Sequence, residues 1–350
     1  MLRIGFVGTG LIAWAHGLGL RAMIDDGVLD ASIAVVHDPS RTRADRFATT
    51  TGAQVVDGLD EVVERCDALW VCTPTSAHRA AVGAAATAAR AVFCEKPLAT
   101  DLGGALALSQ AVAVAGVPAQ SGLVLRSAPV FVALRELVHS GQLGRPMAAV
   151  FRDDQYFPIQ GTYGSTWRSD VEQAGGGCLI EHSIHDLDIL RFCFGEVTEV
   201  TGRMSNFSGH PGIEDMAAVS MQFVSGLTAQ LTSVWHNILS RGSTRRIEIF
   251  FEDALVWLDN EFRGPLHIQT SERSEDRPCP SPAWVDALPF GNDQIGLGVS
   301  PYVEADRGFV DAVVAGRAPQ PGVDEAVVAH RLVDAAYRSA REGGVPVALG

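Results

Sequence analysis

Along the first 120 or so residues, short unbroken apolar runs alternate with amphipathic stretches of helical period; beyond residue 196 the rhythm becomes strict in–out alternation. Residues 2–7 form an apolar run that stops at Gly8-Thr9-Gly10, and a helical pattern follows to about residue 24. The same alternation predicts strands at 31–36, 53–55, 68–72 and 91–94, with helices over 41–51, 58–66 and from 75 to about 89. Thr100-Asp101 caps a helix to about residue 115, and a last strand runs over 117–123. Strands too short to be helices, separated by helix-length segments, predict βαβ units and a parallel sheet. That domain ends near residue 124.

The second half reads differently. A helix over 126–140 stops at Gly141, a strand-like run covers 146–153, and 156–168 is an irregular polar and aromatic loop. Gly175-Gly176-Gly177 leads into a helix that continues to Phe194. From 197 to 258, Val219, Met221 and Phe223 alternate with Ser220 and Gln222. After a two-residue turn at Ser225-Gly226, Leu227, Ala229, Leu231 and Trp235 alternate with Thr228, Gln230 and Thr232. This predicts an antiparallel sheet with one face packed on helices. Residues 271–300 are rich in proline, serine and charge and read as a surface excursion, before amphipathic helices over 302–315 and 324–341. The predicted class is α/β: a Rossmann-type doubly wound parallel sheet in 1–124, then an α+β domain in 125–350 with a large, mainly antiparallel sheet. The C-terminal helices have the pattern to pack back on the first domain.

Composition narrows the class. The chain has 350 residues, 47% hydrophobic and 19% charged, which suits two domains with a substantial core. With 27 basic against 41 acidic residues the net charge is −14, and no Lys/Arg cluster is present. Nucleic acid and anionic membrane are therefore poor partners. No uncharged apolar run approaches the length of a membrane span. Met1-Leu2-Arg3 leads directly into a strand, leaving no room for a signal peptide. Cysteines 66, 72, 94, 178, 193 and 279 form no CxxC pair and read as reduced, mostly buried thiols of a cytoplasmic protein.

The opening glycines carry the first chemistry. Gly8-Thr9-Gly10-Leu11-Ile12-Ala13 fits G-x-G-x-x-A between a strand and a helix. Gly8 allows the tight turn, Gly10 lets backbone approach a pyrophosphate, and Ala13 lets helix and strand pack closely. The helix N-terminus, at Leu11 and Ile12, offers N–H groups and a positive dipole end to phosphates. Asp38, after the second strand, can accept hydrogen bonds from both ribose hydroxyls and repels a 2′-phosphate, so NAD is favoured over NADP. Arg41 nearby weakens that preference, and Asp38 as a helix cap or turn residue is the rival reading.

Two further stretches carry acid–base groups. Ala91–Cys94 delivers Glu95-Lys96-Pro97 to the carboxyl end of a strand, where ligands of an open parallel sheet gather. Alone, that tripeptide reads equally as a surface turn. In the later helix, Glu181 and His185 are i,i+4 while His185 and Asp188 are i,i+3, placing all three on one helical face. A carboxylate–imidazole–carboxylate row suits proton relay, because carboxylates orient the ring and raise its pKa. A metal site of Glu181, His182, His185 and Asp188 is disfavoured because His182 points away from the others, so no metal is expected. A capped, solvated helix face is the other alternative. Lys96 acts near neutral pH only if burial or nearby positive charge lowers its pKa. Trp167, Arg168 and Tyr156, in the irregular loop, are candidates for cofactor or substrate contact.

Taken in order, Gly8 to Ala13, Thr73-Pro74 with His78, Glu95-Lys96-Pro97, and the glycine-led row of Glu181, His185 and Asp188 resemble the Gfo/Idh/MocA family over nearly the whole chain. The resemblance implies that Thr73-Pro74 borders the nicotinamide half of the cofactor and that Lys96 lies at the reacting centre, with Glu95 and His78 part of the same cofactor-side motifs. It implies a dehydrogenase acting on a secondary hydroxyl of a sugar, inositol or other polyol. It also implies that the neutral, threonine-rich face of the second sheet packs against another subunit in a homodimer or homotetramer. Some family members are NAD-dependent glycosidases acting by oxidation and elimination, and others are non-enzymatic regulators. Two residues depart from the family pattern, Glu181 where aspartate is frequent and Ser183 where glycine is common; both are expected where substrate sits.

Overall fold

The computed structural model describes residues 1–262, 264–281, 285 and 294–349, with backbone alone for 294–299. The chain divides into two compact units, Met1–Val124 with Pro282–Val327, and Leu125–Ser281 with Val328–Gly350.

In the first unit, β1 (Leu2–Val7), β2 (Ala31–His37), β3 (Gln54–Val55), β4 (Ala68–Val71), β5 (Ala91–Cys94) and β6 (Ala119–Ser121) form a parallel sheet of order 3-2-1-4-5-6. That order places a topological switch between β1 and β4, the crevice position for dinucleotides. The helices α1 (Leu11–Asp25), α2 (Arg41–Thr51), α3 (Leu59–Arg65), α4 (His78–Thr87) and α5 (Leu102–Ala115) connect the strands. Helix α5 starts where predicted because Asp101 Oδ1 accepts the Gly104 N–H at 2.7 Å, and it stops at Gly116, whose φ of 64° suits a glycine cap. Central strands are apolar on both faces, as a sheet covered on both sides requires; β4 and β5 are buried throughout.

In the second unit, helix α6 (Pro129–Ser140) begins with proline in its first turn and ends at Gly141 (φ 67°). Strand β7 (Pro146–Tyr156) precedes a short helical turn, α7 (Val171–Ala174), and helix α8 (Ile184–Phe194). Then come β8 (Val197–Ser205), β9 (Met216–Phe223), β10 (Thr228–His236), β11 (Thr244–Phe251), β12 (Ala254–Leu258), β13 (Leu266–Thr270) and β14 (Ser274–Arg277). With β15 (Val347–Ala348) they make a nine-stranded sheet of order 14-13-12-11-7-10-9-8-15. Its pairs are antiparallel except β7 with β10, a central parallel pair that alternation alone does not reveal. The inner face carries Ala149, Phe151, Ile247, Ile249, Ala229, Leu231, Val219 and Met221, all essentially buried. The outer face is neutral on β9 and β10, but β7 and β11 add Val150, Arg152, Arg246, Glu248 and Phe250 to it.

The structure corrects three expectations. The excursion predicted over 271–300 contains β14, and helix α9 (Gln294–Val314) begins eight residues before the predicted residue 302; residues 282–284 and 286–293 of it lie outside the described residues. Pro301 sits inside α9, where proline ordinarily marks a break or start. The helix predicted to run unbroken from the glycines opens with a wide π-type turn, Leu179–Ser183, before α8. The shared-face argument assumes α winding, so its i,i+3 half holds for His185 and Asp188, both in α8, and its i,i+4 half fails for Glu181, which lies in the π-type turn. The last helix, α10 (Val323–Arg341), matches the predicted 324–341 closely. All six cysteines are buried free thiols, and among the described residues no helix is long and apolar enough to cross a membrane.

Candidate active site

The carboxyl end of the first sheet holds the glycine cradle. Gly8 has a φ of 83°, and a Cβ there would lie 2.5 Å from the Cys72 carbonyl oxygen, so only glycine fits. A Cβ at Gly10 would meet nothing within 4 Å; that side is open. Gly10 is the N-cap of α1 and no side chain caps the helix, so its first N–H groups, including those of Leu11 and Ile12, are not taken by a cap. The bare positive helix end and the open side at Gly10 fit a pyrophosphate.

Asp38 closes this region from the end of β2. Its Oδ2 accepts the Thr9 backbone N–H and hydroxyl, both at 2.9 Å, and its Oδ1 accepts the Ser40 N–H at 2.7 Å. Oδ1 also takes the Arg43 guanidinium at 3.0 and 3.2 Å. Burial works to raise the pKa, but the Ser40 and Thr9 N–H groups, with Arg43, hold it below the usual carboxylate value. The arginine at this carboxylate is therefore Arg43; Arg41 pairs with Asp45 and Asp57 instead. Ser40, not Asp38, occupies the N-cap of α2.

Thr73-Pro74 and Glu95-Lys96-Pro97 follow adjacent strands and share one histidine. His78 Nε2 lies 3.0 Å from the Thr73 carbonyl and its Nδ1 lies 2.9 Å from the Pro97 carbonyl. The imidazole thus ties together two turns separated by more than twenty residues. The Lys96–Pro97 peptide bond is cis. Glu95 is nearly buried, and its Oε2 accepts the Lys96 N–H at 3.2 Å.

In the second unit, the row carrying Glu181, His185 and Asp188 hangs from a buried acid. Glu214 accepts the N–H groups of Gly177 (2.8 Å) and Leu179 (3.0 Å) and the Tyr337 hydroxyl (2.8 Å). Burial pushes its pKa up against those hydrogen bonds. A Cβ at Gly177 would fall 1.8 Å from the Glu214 carbonyl oxygen, which explains that glycine. Glu181 is buried and accepts Arg168 Nε at 3.0 Å, while the Arg168 guanidinium lies over the Trp167 ring at 4.3 Å. Asp188 holds Arg126 in a two-bond fork of 2.8 and 2.6 Å. Tyr156 hydrogen-bonds through its hydroxyl with Thr162 at 2.7 Å.

The residues flanking His185 are anchored separately. Ser183 lies 2.6 Å from both Asp153 Oδ2 and the Ser233 hydroxyl and is fully buried, contrary to the expectation that it faces substrate. Arg245 reaches Asp186 Oδ1 at 2.6 Å and Glu261 Oε1 at 3.0 Å, with His182 Nε2 3.1 Å away. Burial pushes Asp186 well up, whereas Arg245 and His182 hold Asp153 well below the usual range despite its burial. His182 sits 3.2 Å from Asp153 Oδ1, in this anchoring cluster. Among the described residues no group of three or more His, Cys, Asp or Glu side chains could hold a metal ion.

Arg43, Arg126, Arg245 and Glu214 were not singled out in the sequence. Only Arg43 had a local signal, five residues after Asp38; the others reach partners across 62, 59 and 37 positions.

Two family profiles cover most of the chain: an oxidoreductase family, NAD-binding Rossmann fold, over residues 2–123, and a GFO/IDH/MocA C-terminal domain over 131–256. The inositol 2-dehydrogenase of Rhizobium meliloti is 26% identical over 97% of each chain. The myo-inositol 2-dehydrogenase of Thermotoga maritima is 30% identical over 78% of this chain and 80% of its own. A solved levoglucosan dehydrogenase, in complex with NADH and levoglucosan, superposes with a TM-score of 0.86 at 19% identity, covering 99% of both chains, a likeness of fold.

Proposed function

Since the chain belongs to the GFO/IDH/MocA family of NAD-binding oxidoreductases, we propose that it catalyses reversible hydride transfer between NAD and a secondary hydroxyl of a sugar, inositol or related polyol. The observation that carries this is Glu95-Lys96-Pro97 at the carboxyl end of β5, in the same sheet as the glycine cradle and tied by His78 to the Thr73-Pro74 turn. The names of the inositol dehydrogenase relatives support the polyol class.

NAD, when bound, supplies the hydride acceptor and donor. Gly8, Gly10 and the N–H groups of Leu11 and Ile12 bind its pyrophosphate, and Asp38 the adenosine ribose. Lys96 takes the hydroxyl proton at Nζ on oxidation and returns it on reduction, and His185 is the second acid–base group of this reading. Glu181 and Asp188 orient His185 or bind substrate hydroxyls, and their arginine partners, Arg168 and Arg126, fix where those carboxylates point. Trp167 and Tyr156 line the substrate side.

Two coarser features belong to the same reading. The six buried free thiols support a reducing, cytoplasmic setting. The outer face of the second sheet, with Val150 and Phe250 half-exposed beside neutral β9 and β10, supports association with a second copy of the chain; light scattering on the purified protein tests it. The activity is tested by screening inositols, aldoses and polyols with NAD and NADP while following nicotinamide absorbance. Reduction of NAD by at least one of them is expected. No reduction across the panel, with NAD bound, would sink the proposal.

A further inference from the structure

His16 is fully buried in α1, on the face that otherwise carries Ala13, Leu20 and Met23. Its Nε2 lies 3.0 Å from Glu95 Oε1 and its Nδ1 lies 2.7 Å from Asp306 Oδ1, on α9. Facing two ionised carboxylates, the ring carries a proton on both nitrogens; burial pushes the Asp306 pKa up, while His16 and the Trp70 indole pull it down. Burial works against that charge, but Asp306 and Glu95 outweigh it and raise the pKa to about 10. The ring is wedged against Phe93 (4.9 Å) and Tyr302 (5.3 Å), and the Trp70 indole N–H donates to Asp306 Oδ1 at 2.9 Å. At the other end Glu95 has no freedom either. A Cβ at Gly122 would lie 2.5 Å from its Oε1, and its Oε2 accepts the Lys96 N–H.

We propose that the chain Asp306–His16–Glu95 sets the position of Lys96, with His16 a positioning residue that acts through the Glu95 carboxylate. The proposal rests on the reading of Lys96 as the proton-transfer group. Packing alone does not account for it, because a buried ion pair replaced by apolar side chains often leaves stability unchanged or improved. The chain of charge-assisted bonds ends on the backbone N–H of the one lysine placed at this strand end. The imidazolium also neutralises Glu95 beside Lys96. The other titratable groups around it are the Cys72 and Cys94 thiols, both kept protonated by burial with Glu95 adding to the effect, His78 on Pro97, and Tyr302.

The test compares wild type with His16→Leu, His16→Gln, Asp306→Asn and Lys96→Ala. Readouts are NAD affinity by fluorescence, kcat and its pH profile on the best polyol of the screen, and hydrogen exchange at the Lys96 amide. His16→Leu is expected to lower kcat about 100-fold with KM and NAD affinity within about 3-fold, and to speed Lys96 amide exchange at least about 10-fold while Val92 and Phe93 stay protected. His16→Gln, which keeps a donor toward Glu95, should recover most of kcat. In both variants, the loss of positive charge beside Glu95 should move the acidic limb of the profile upward by about one unit. Folded His16→Leu with wild-type kcat, profile and Lys96 exchange overturns the proposal. Should it not fold, wild-type values in both His16→Gln and Asp306→Asn do the same. Turnover surviving in Lys96→Ala instead overturns the reading of Lys96, and the amide exchange still decides the positioning.

Discussion

The carboxyl end of the first sheet and the π-type turn with α8 around His185 hold their carboxylates by different means. In the first unit, one imidazolium serves two acids, Glu95 and Asp306; Asp38 takes Arg43 along with Thr9 and the Ser40 N–H, and much of the remaining work falls to backbone: glycines, helix-end N–H groups and the carbonyls that flank His78. In the second, Glu181, Asp186 and Asp188 each have their own arginine, from Arg168, Arg245 and Arg126. Backbone geometry at the first site leaves the crevice open for a dinucleotide. Guanidiniums at the second fix side-chain direction, which on the proposed reading serves recognition of substrate hydroxyls.

The largest effect that separates the two regions is on turnover. Lys96→Ala and His185→Ala should each lower kcat by about 10²–10⁴-fold with NAD affinity nearly unchanged; a variant that loses NAD binding equally would place its residue in the cofactor cradle instead. Next comes Arg245→Leu, which leaves Asp153, Asp186 and Glu261 buried around a missing cation and should cost roughly 3–5 kcal/mol in urea unfolding. NAD affinity of the protein that remains folded should not follow it, since the cradle contains none of these groups.

The pH dependence of stability sharpens the contrast further. His16 has a folded pKa near 10 against an ordinary 6.5. Its contribution is therefore complete below about pH 6.5 and is lost as pH rises toward 10. Unfolding free energy of wild type should fall across that window, and His16→Gln should flatten the fall; an equally steep fall in the variant would refute the charged imidazole. The smallest effect is on cofactor choice. Asp38→Ala should weaken NAD by about 10-fold and relax discrimination against NADP. Arg43→Gln should weaken NADP alone, because a guanidinium at Asp38 can pair with a 2′-phosphate; a parallel loss for NAD would mean that Arg43 acts only by orienting Asp38.

Legibility followed the range of the interactions. The strand–glycine–helix opening, Asp38, and the Glu95-Lys96-Pro97 strand end were readable because each is a local device whose parts lie within a few residues. The spacing of Glu181, His185 and Asp188 was readable, but the π-type turn under it was not. That turn follows the Gly177 and Leu179 N–H groups onto Glu214, more than thirty residues away. Ser183 could not be placed from sequence either, because its hydroxyl belongs to a chain with Asp153 and Ser233 that exists only once β7 and β10 pair.

By itself, then, the sequence determined the sheet types, their order of appearance and the cofactor cradle, since periodicity and backbone-permissive glycines act through nearest neighbours. Tertiary structure alone decided which charge answers which. Coulomb and hydrogen-bond energies depend on separation in space, and folding brings His16 to Asp306 and Arg126 to Asp188 across stretches of chain that carry no mark of the meeting.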